Sequence, residues 1–494
     1  LLKKIEEAKI KQKAGNSLGA NQIFQELLKS NNDSFDLLYA YGLFCIDLKN
    51  FNLAKRVFLD LINKFPLSIN SYILLAEILR IENKLKDAEK ILLKAIKIDP
   101  NHGDLLYNFS LLYFASRNFD YALVYIDKAI KVSINNDIYK LLKSEIYINK
   151  FEIDKALHIL EDLKNSNQVQ KDNGKQIRVN ILIANAYIKK RKYKEAENIL
   201  LKLTKKYKRL ELAYLNLSIL YGDKNQLSKS IKILKKGINL SPNYMPFYKN
   251  LATFYRNSGQ LKLAIETNLL IISKNKFDFH SFFELSEIYD FKNHNDELTF
   301  LLNTNLDNLN SNSKIYAAFA ISNIFHKQRK FKESAKYLKT ANHESLKHKK
   351  SDMYLKIKET QLFRSLKIKN FKNEYFKNYS NYIFIVGMPR SGSTLLENIL
   401  SLNSKVIDMG EVNFLEESIK EIKDIKCVYD LYKKKVFNQF KSSLIYTDKN
   451  LFNYMYCPII SHYFPGAKII NCMRNPLDNI LSIYRANFLN QSFS

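Results

Sequence analysis

Small side chains recur in this sequence at an interval of 34 residues, and that interval constrains the fold more than any other feature. Ala54, Ala88, Ala122 and Ala156 stand 34 apart, and after one step of 40 the series resumes at Ala196, Ser230 and Ala264. A second series runs twelve positions ahead, through Gly42, Ala76, Ser110, Ser144, Ala184, Ser218, Ala252 and Ser286. Around them the apolar residues keep helical spacing: Leu38, Tyr41 and Phe44 precede a polar break, and Phe51, Phe58 and Leu61 follow it. The pattern predicts two antiparallel helices per unit, each with one small residue so that the backbones approach closely, while aromatic and leucine side chains fill the groove between units. Pro66, Pro100 and Pro242, each twelve residues past the second small residue, are expected to stop the second helix.

This organisation resembles the tetratricopeptide repeat, whose period and small positions it shares, although the family's first-helix Trp is absent from a chain with no Trp. Weaker units at Ala8/Ala20, Ser286/Leu298 and Ser322/Ser334 bring the array to about ten repeats over residues 1–345. Leu298 in a small-residue position and the Asn-rich stretch 303–312 predict one distorted unit, as a packing irregularity or a hinge. The resemblance implies a superhelix whose concave face takes a protein or peptide partner.

Composition limits the alternatives. A chain of 494 residues is too long for one ordinary core, and 46% hydrophobic residues with only 12 Gly and 8 Pro exclude a mostly disordered chain. The net charge of +29 is spread through nearly every segment, densest from Lys347 to Lys377 in a basic helical connector over 346–380. Without a stripe on one face, no nucleic-acid partner is expected. Cys45, Cys427, Cys457 and Cys472 are too few and too irregular for a disulfide framework or a zinc site, so a reducing, cytoplasmic setting is expected. No apolar run reaches the roughly 18 residues of a membrane span. No signal-peptide pattern opens the chain. Its start at Leu1 and its end at Ser494 read as a fragment.

The chemistry begins where the composition changes. Tyr382-Ile-Phe-Ile-Val386 predicts a buried parallel strand, Gly387-Met-Pro-Arg-Ser-Gly-Ser-Thr394 a glycine-containing loop, and Leu395 to Leu400 a helix. Strand, loop and helix in this order hold phosphate at a helix N-terminus. Ser393 stands where a nucleotide triphosphatase needs its Lys, which disfavours an ATPase. Further on, Ala467 to Met473 predicts a second buried strand, ending in Arg474-Asn-Pro-Leu-Asp478, with Pro476 starting a helix that contains Ser482.

Pro389-Arg-Ser-Gly-Ser-Thr-Leu395 resembles the 5′-phosphosulfate loop of the sulfotransferases, and is most similar to the branch that includes protein-tyrosine sulfotransferases, where Arg replaces the Lys of cytosolic members. The resemblance implies that Arg390 pairs with the 5′-phosphosulfate of 3′-phosphoadenosine 5′-phosphosulfate, and that Ser391, Gly392, Ser393 and Thr394 supply amide and hydroxyl donors. A planar guanidinium fork suits two anionic oxygens at once. Arg474 and Ser482, eight residues apart, match the pair that grips the donor's 3′-phosphate in the family. Glu411, in Met409-Gly-Glu-Val412, aligns with the family's catalytic base, against the plainer reading of a glutamate on an exposed loop. Lys449 resembles the lysine that touches the donor sulfate, or is a solvated lysine, and Asp448 either orients it or caps a turn. His462 reads as a packed histidine. No His, Cys and Asp cluster has metal-ligand spacing, and the family needs no metal.

The expected architecture is an α-solenoid of tetratricopeptide repeats (1–345), the connector (346–380), and the N-terminal part of an α/β P-loop-like sulfotransferase domain with a parallel sheet (381–494). The expected activity is sulfuryl transfer to an acceptor hydroxyl of protein tyrosine or carbohydrate, with the repeats recruiting the acceptor or a partner. The alternative is an interaction scaffold whose C-terminal domain only binds nucleotide.

Overall fold

The computed structural model describes residues 1–31, 33–289, 291, 295–348, 381–422, 424–440 and 445–486. Apart from its first three residues, the expected connector at 346–380 lies outside the described residues. The chain divides into two units, one of residues 1–289 and 305–313, the other of residues 290–304 and 314–494.

The first unit contains eight successive helix pairs, from Leu2–Lys13 with Ser17–Ser30 to Met245–Asn257 with Leu261–Lys274, and then the helix Phe279–Ile288. It is the tetratricopeptide-type solenoid. The small-residue series explains the packing: Ala54, Ala122, Ala156, Ala196 and Ala264 are fully buried, and a Cβ on Gly42 would stand 2.6 Å from Phe58 Cζ. Where the small residue is serine, its hydroxyl needs a partner in the apolar seam. Ser110 Oγ donates to Ala122 O at 2.9 Å and Ser230 Oγ to Ser218 O at 2.8 Å, both across a helix pair. The one step of 40 is absorbed by an extra short helix, Asn167–Lys171, and by the longer helix Asn173–Lys189.

The turns inside the pairs share one geometry. Gly15, Lys49, Asn83, Arg117, Phe151, Arg191, Asn225 and Gly259 all have positive φ, 34 residues apart except for the one step of 40 between Phe151 and Arg191. Each is followed by an amide that reaches back five residues, as Asn50 N does to Cys45 O at 2.9 Å and Glu152 N to Tyr147 O at 3.0 Å. This is the left-handed helix C-terminus that glycine favours. A side chain there costs about 1–2 kcal/mol, more than the ~0.5–1 kcal/mol of backbone entropy that glycine loses. Lys49 is exposed. Lys49→Gly is therefore expected to raise stability by about 0.5–1 kcal/mol, as read by urea denaturation of the full chain.

In the second unit the repeat pattern shortens and then recovers. Asn295–Asn303 is a helix of only 9 residues, with Leu298 half-buried, in keeping with the distorted unit expected there. Phe331–His348 packs against Ser311–Lys327 through Ser322 and Ser334, whose hydroxyls lie 3.0 Å apart and bond each other's carbonyls.

Beyond residue 380 lies a small parallel sheet. Its elements in chain order are β1 (Tyr382–Gly387), α1 (Ser393–Ser401), β2 (Val406–Asp408), α2 (Phe414–Glu421), α3 (Val428–Phe440), β3 (Ile445–Asp448), α4 (Cys457–Tyr463), β4 (Lys468–Cys472) and α5 (Pro476–Tyr484). The strand order is β2-β3-β1-β4 and all pairings are parallel, with Phe384 opposite Asp448 and Gly387 opposite Cys472. Tyr382 and Phe384, two apart on β1 and so on one face, anchor an aromatic core with Tyr432 of α3 and Phe464, the latter 5.5 Å from Phe384 and edge-on to it. The expectation of a buried second strand is corrected here. Among the described residues β4 is an edge strand, and Lys468, Ile469 and Asn471 are exposed. Its apolar run resembled that of β1, but β1 lies between β3 and β4 whereas β4 pairs with β1 alone among the described strands.

Candidate active site

All four strands point the same way, so their carboxyl ends share one rim, and β1 lies where the chain departs to one side while β4 pairs on the other. Open parallel sheets bind ligands at such a point. The loop after β1 is shaped by three left-handed residues, Gly387 (φ +146°), Arg390 (φ +67°) and Gly392 (φ +98°). Gly387 is obligatory for space as well, because a Cβ there would lie 2.5 Å from Cys472 O on β4. Gly387→Ala is expected to separate β1 from β4 at the rim and to abolish ligand binding at the loop, measurable as lost amide protection of Lys468–Cys472 in hydrogen exchange.

Gly392 is the N-cap of α1 and makes no side-chain cap, which leaves the first amides and the positive end of the helix turned toward the loop. The buried Ser391 Oγ has no hydrogen-bond partner among the described residues. Around this end lies a cleft of about 230 Å³ lined by Arg390, Gly392, Ser393, Thr394, Arg474 and Ser482. Residues 84 and 92 positions apart thus face one space. Arg390 Nε donates to Ser482 Oγ at 3.2 Å, and Arg474 Nη1 reaches Arg390 O at 3.4 Å. Two guanidinium groups, a helix N-terminus and hydroxyl donors with no carboxylate among the lining residues make an anion site.

One residue essential to this geometry escaped the sequence reading. Asn479 of α5, 4% exposed, donates from Nδ2 to Pro389 O at 2.6 Å and ties the two motifs together. Pro476 does open α5, behind Asn475, whose side chain accepts from Leu477 N and Asp478 N.

Glu411 and Lys449 stand beside each other at the ends of the other strands. Lys449 Nζ donates to Glu411 Oε1 at 2.9 Å. The lysine side chain is 7% exposed and the glutamate side chain 66%. Lys449 is therefore not a solvated surface lysine. A third group, also absent from the sequence reading, completes the cluster: Glu397 of α1 is buried, with Oε2 3.9 Å from Lys449 Nζ. Its Oε1 accepts from Thr447 Oγ1 at 2.9 Å and from Gly410 N at 3.2 Å. Burial pushes its carboxyl above the usual range, against the hydrogen bonds and the Lys449 charge that hold it down.

Asp448 takes the turn-capping role of the two considered. Its Oδ1 accepts from Asn450 N at 3.1 Å and Asn453 Nδ2 at 2.9 Å, and its Oδ2 from Tyr432 OH at 2.8 Å. Burial pushes its carboxyl up to about 7 from an ordinary 3.8, with the three donors opposing. Between those values the folded protein binds a proton that the unfolded chain does not. The resulting stabilisation is complete below pH 3.8 and is lost as pH rises through about 7. Asp448→Asn keeps the two bonds to Oδ1 and can donate from its amide nitrogen to Tyr432 OH where the carboxylate accepted, without the titration, so it is expected to flatten the pH dependence of the unfolding midpoint in that window.

His462, in α4, packs edge-on against Tyr463 with centroids 4.6 Å apart. The four cysteines are unpaired, and among the described residues no group of three His, Cys, Asp or Glu could hold a metal ion. No described helix is long and apolar enough to cross a membrane.

Comparison with known proteins agrees with this division. Residues 382–442 and 428–494 match the sulfotransferase family, and residues 69–102, 177–205 and 212–244 match the tetratricopeptide repeat. An uncharacterised protein of Aquifex aeolicus is 24% identical over 304 residues, which are 56% of this chain and 39% of that protein, so the match spans about two fifths of the relative's length. Among solved structures, a tetratricopeptide repeat protein of Parabacteroides merdae is 16% identical with a TM-score of 0.41, over 55% of this chain and 99% of that one. Yeast Tom70 is 17% identical with a TM-score of 0.41, over 58% of each chain.

Proposed function

We propose that this chain, a tetratricopeptide array followed by a sulfotransferase-family segment, transfers a sulfuryl group from 3′-phosphoadenosine 5′-phosphosulfate to an acceptor hydroxyl of protein tyrosine or carbohydrate. The observation that carries the reading is the convergence of Arg390, Arg474, Ser482 and the N-terminus of α1 on one cleft. The residues fit the donor chemically. It is a polyanion with phosphate groups on its ribose, and the cleft offers two guanidinium groups, helix amides and the hydroxyls of Ser393, Thr394 and Ser482.

In this scheme Arg390 and residues 391–394 hold the 5′-phosphosulfate, and Arg474 with Ser482 holds the 3′-phosphate. Glu411, exposed beside Lys449, takes the proton of the acceptor hydroxyl as the acceptor's oxygen bonds to sulfur. The bond between sulfur and the bridging phosphate oxygen breaks. Lys449 stabilises the charge that develops on that oxygen, 3′-phosphoadenosine 5′-phosphate departs, and Glu411 returns its proton to water. The repeat array recruits a protein or peptide that carries or accompanies the acceptor. The scaffold alternative leaves the buried Lys449 beside Glu411 without a task, which favours the enzyme. Calorimetric titration with 3′-phosphoadenosine 5′-phosphate tests the donor site: saturable 1:1 binding that Arg474→Ala abolishes is expected, and no binding by the unmodified chain would overturn the assignment.

A further inference from the structure

We infer that Glu397 is a positioning residue: its buried carboxylate is the fixed counter-ion that holds the Lys449 ammonium in place while Glu411 leaves it to meet the acceptor. The inference deepens the proposed reaction and, for its kinetic part, rests on it. Lys449 has two carboxylates of unlike character. Glu411, 66% exposed in its side chain, can turn into solvent; Glu397, 4% exposed in its side chain, is held by Thr447 Oγ1 and Gly410 N and cannot.

A nearly buried ammonium that loses its closer partner needs another charge nearby. Glu397 Oε2, 3.9 Å from Nζ, supplies it. Glu397 also lies one turn into the helix that follows the phosphate loop, and its Oε1 binds the amide of Gly410, immediately before Glu411. A single side chain therefore fixes the lysine and the backbone that carries the base relative to the helix at the anion cleft.

The division of labour between its two oxygens makes a clean test. Both structural hydrogen bonds fall on Oε1, which Gln retains, whereas Oε2 alone faces Lys449. Glu397→Gln is thus expected to lower kcat for sulfuryl transfer at least tenfold, with 3′-phosphoadenosine 5′-phosphate affinity and acceptor KM within about twofold. Thr447→Val, which breaks a structural bond but keeps the charge, should leave kcat within a few-fold. A larger loss in Thr447→Val than in Glu397→Gln would overturn the inference.

A second measurement does not depend on turnover. In a Glu411→Gln background, Lys449 keeps an amide oxygen to donate to but its charge is met by Glu397 alone among the described residues, so adding Glu397→Gln should lower the melting temperature of the full chain's C-terminal transition by several degrees. Adding Lys449→Met should then recover most of that loss. Absence of the loss, or of its recovery, would overturn the inference, whereas a chain that passes this cycle but transfers no sulfate would count against the proposed reaction and not against the hold of Glu397 on Lys449.

Discussion

Replacing Arg390 by Ala is expected to weaken binding of 3′-phosphoadenosine 5′-phosphate by about 100-fold in a calorimetric titration of the full chain, equivalent to about 3 kcal/mol for a bidentate charge-assisted contact. Its backbone has φ +67°, a conformation as unfavourable to Ala as to Arg, so the comparison reads the side chain and not the loop. The guanidinium is already oriented by Ser482 Oγ at 3.2 Å. Ser482→Ala should accordingly cost less than Arg390→Ala, about 1 kcal/mol, because the hydroxyl positions the arginine as well as lining the cleft. Arg390→Lys keeps a point charge without the fork and is expected to fall between the two.

The second large effect concerns Lys449. Lys449→Met is expected to reduce kcat for sulfuryl transfer by about 100- to 1000-fold, the usual loss when a group that stabilises developing negative charge is removed, while bisphosphate affinity stays within a few-fold. Met retains the apolar stem at a site where the side chain is 7% exposed. Glu397, whose carboxyl burial already raises, can take up a proton when the ammonium is gone. The fold should therefore survive, and circular dichroism with a thermal melt checks that it does. A kcat within tenfold of the unmodified chain would remove Lys449 from the mechanism.

Much of the solenoid was legible in the sequence because its constraint is local and repeated. A small residue facing another twelve positions later leaves the same mark in unit after unit, with Leu298 the exception, and Ala54, Ala122 and Ala264 are buried as that mark requires. The turns were less legible. Their left-handed residue is glycine only at Gly15 and Gly259, and Lys49, Arg117 and Phe151 adopt the same conformation without any compositional sign. At the rim of the sheet, the residues singled out by spacing and resemblance, Arg390, Ser393, Thr394, Arg474 and Ser482, face one cleft.

What the sequence hid was the support behind them. Glu397 sits in an apolar helical run where one acidic residue looks like a surface position, and Asn479 looks like any polar residue of a short helix. Their importance comes from partners 50 and 90 positions away, which only the fold brings near. Asp448 was ambiguous because its role depends on which nearby groups turn toward it: Asn450 and Asn453 donate from the turn that follows, and Tyr432 from α3. The exposure of β4 could not be read from Lys468–Cys472 at all, because strand order decides which of two apolar runs lies at the edge.

The most direct test of the account is donor-dependent transfer of radioactive sulfate. The full chain is incubated with labelled 3′-phosphoadenosine 5′-phosphosulfate and, separately, a pool of tyrosine-containing peptides and a pool of oligosaccharides, beside the Arg390→Ala and Lys449→Met variants. The account predicts covalent label on one of the two pools with the unmodified chain, and at least a 100-fold smaller rate with either variant. No label on either pool, or label that appears equally with Arg390→Ala, would contradict it.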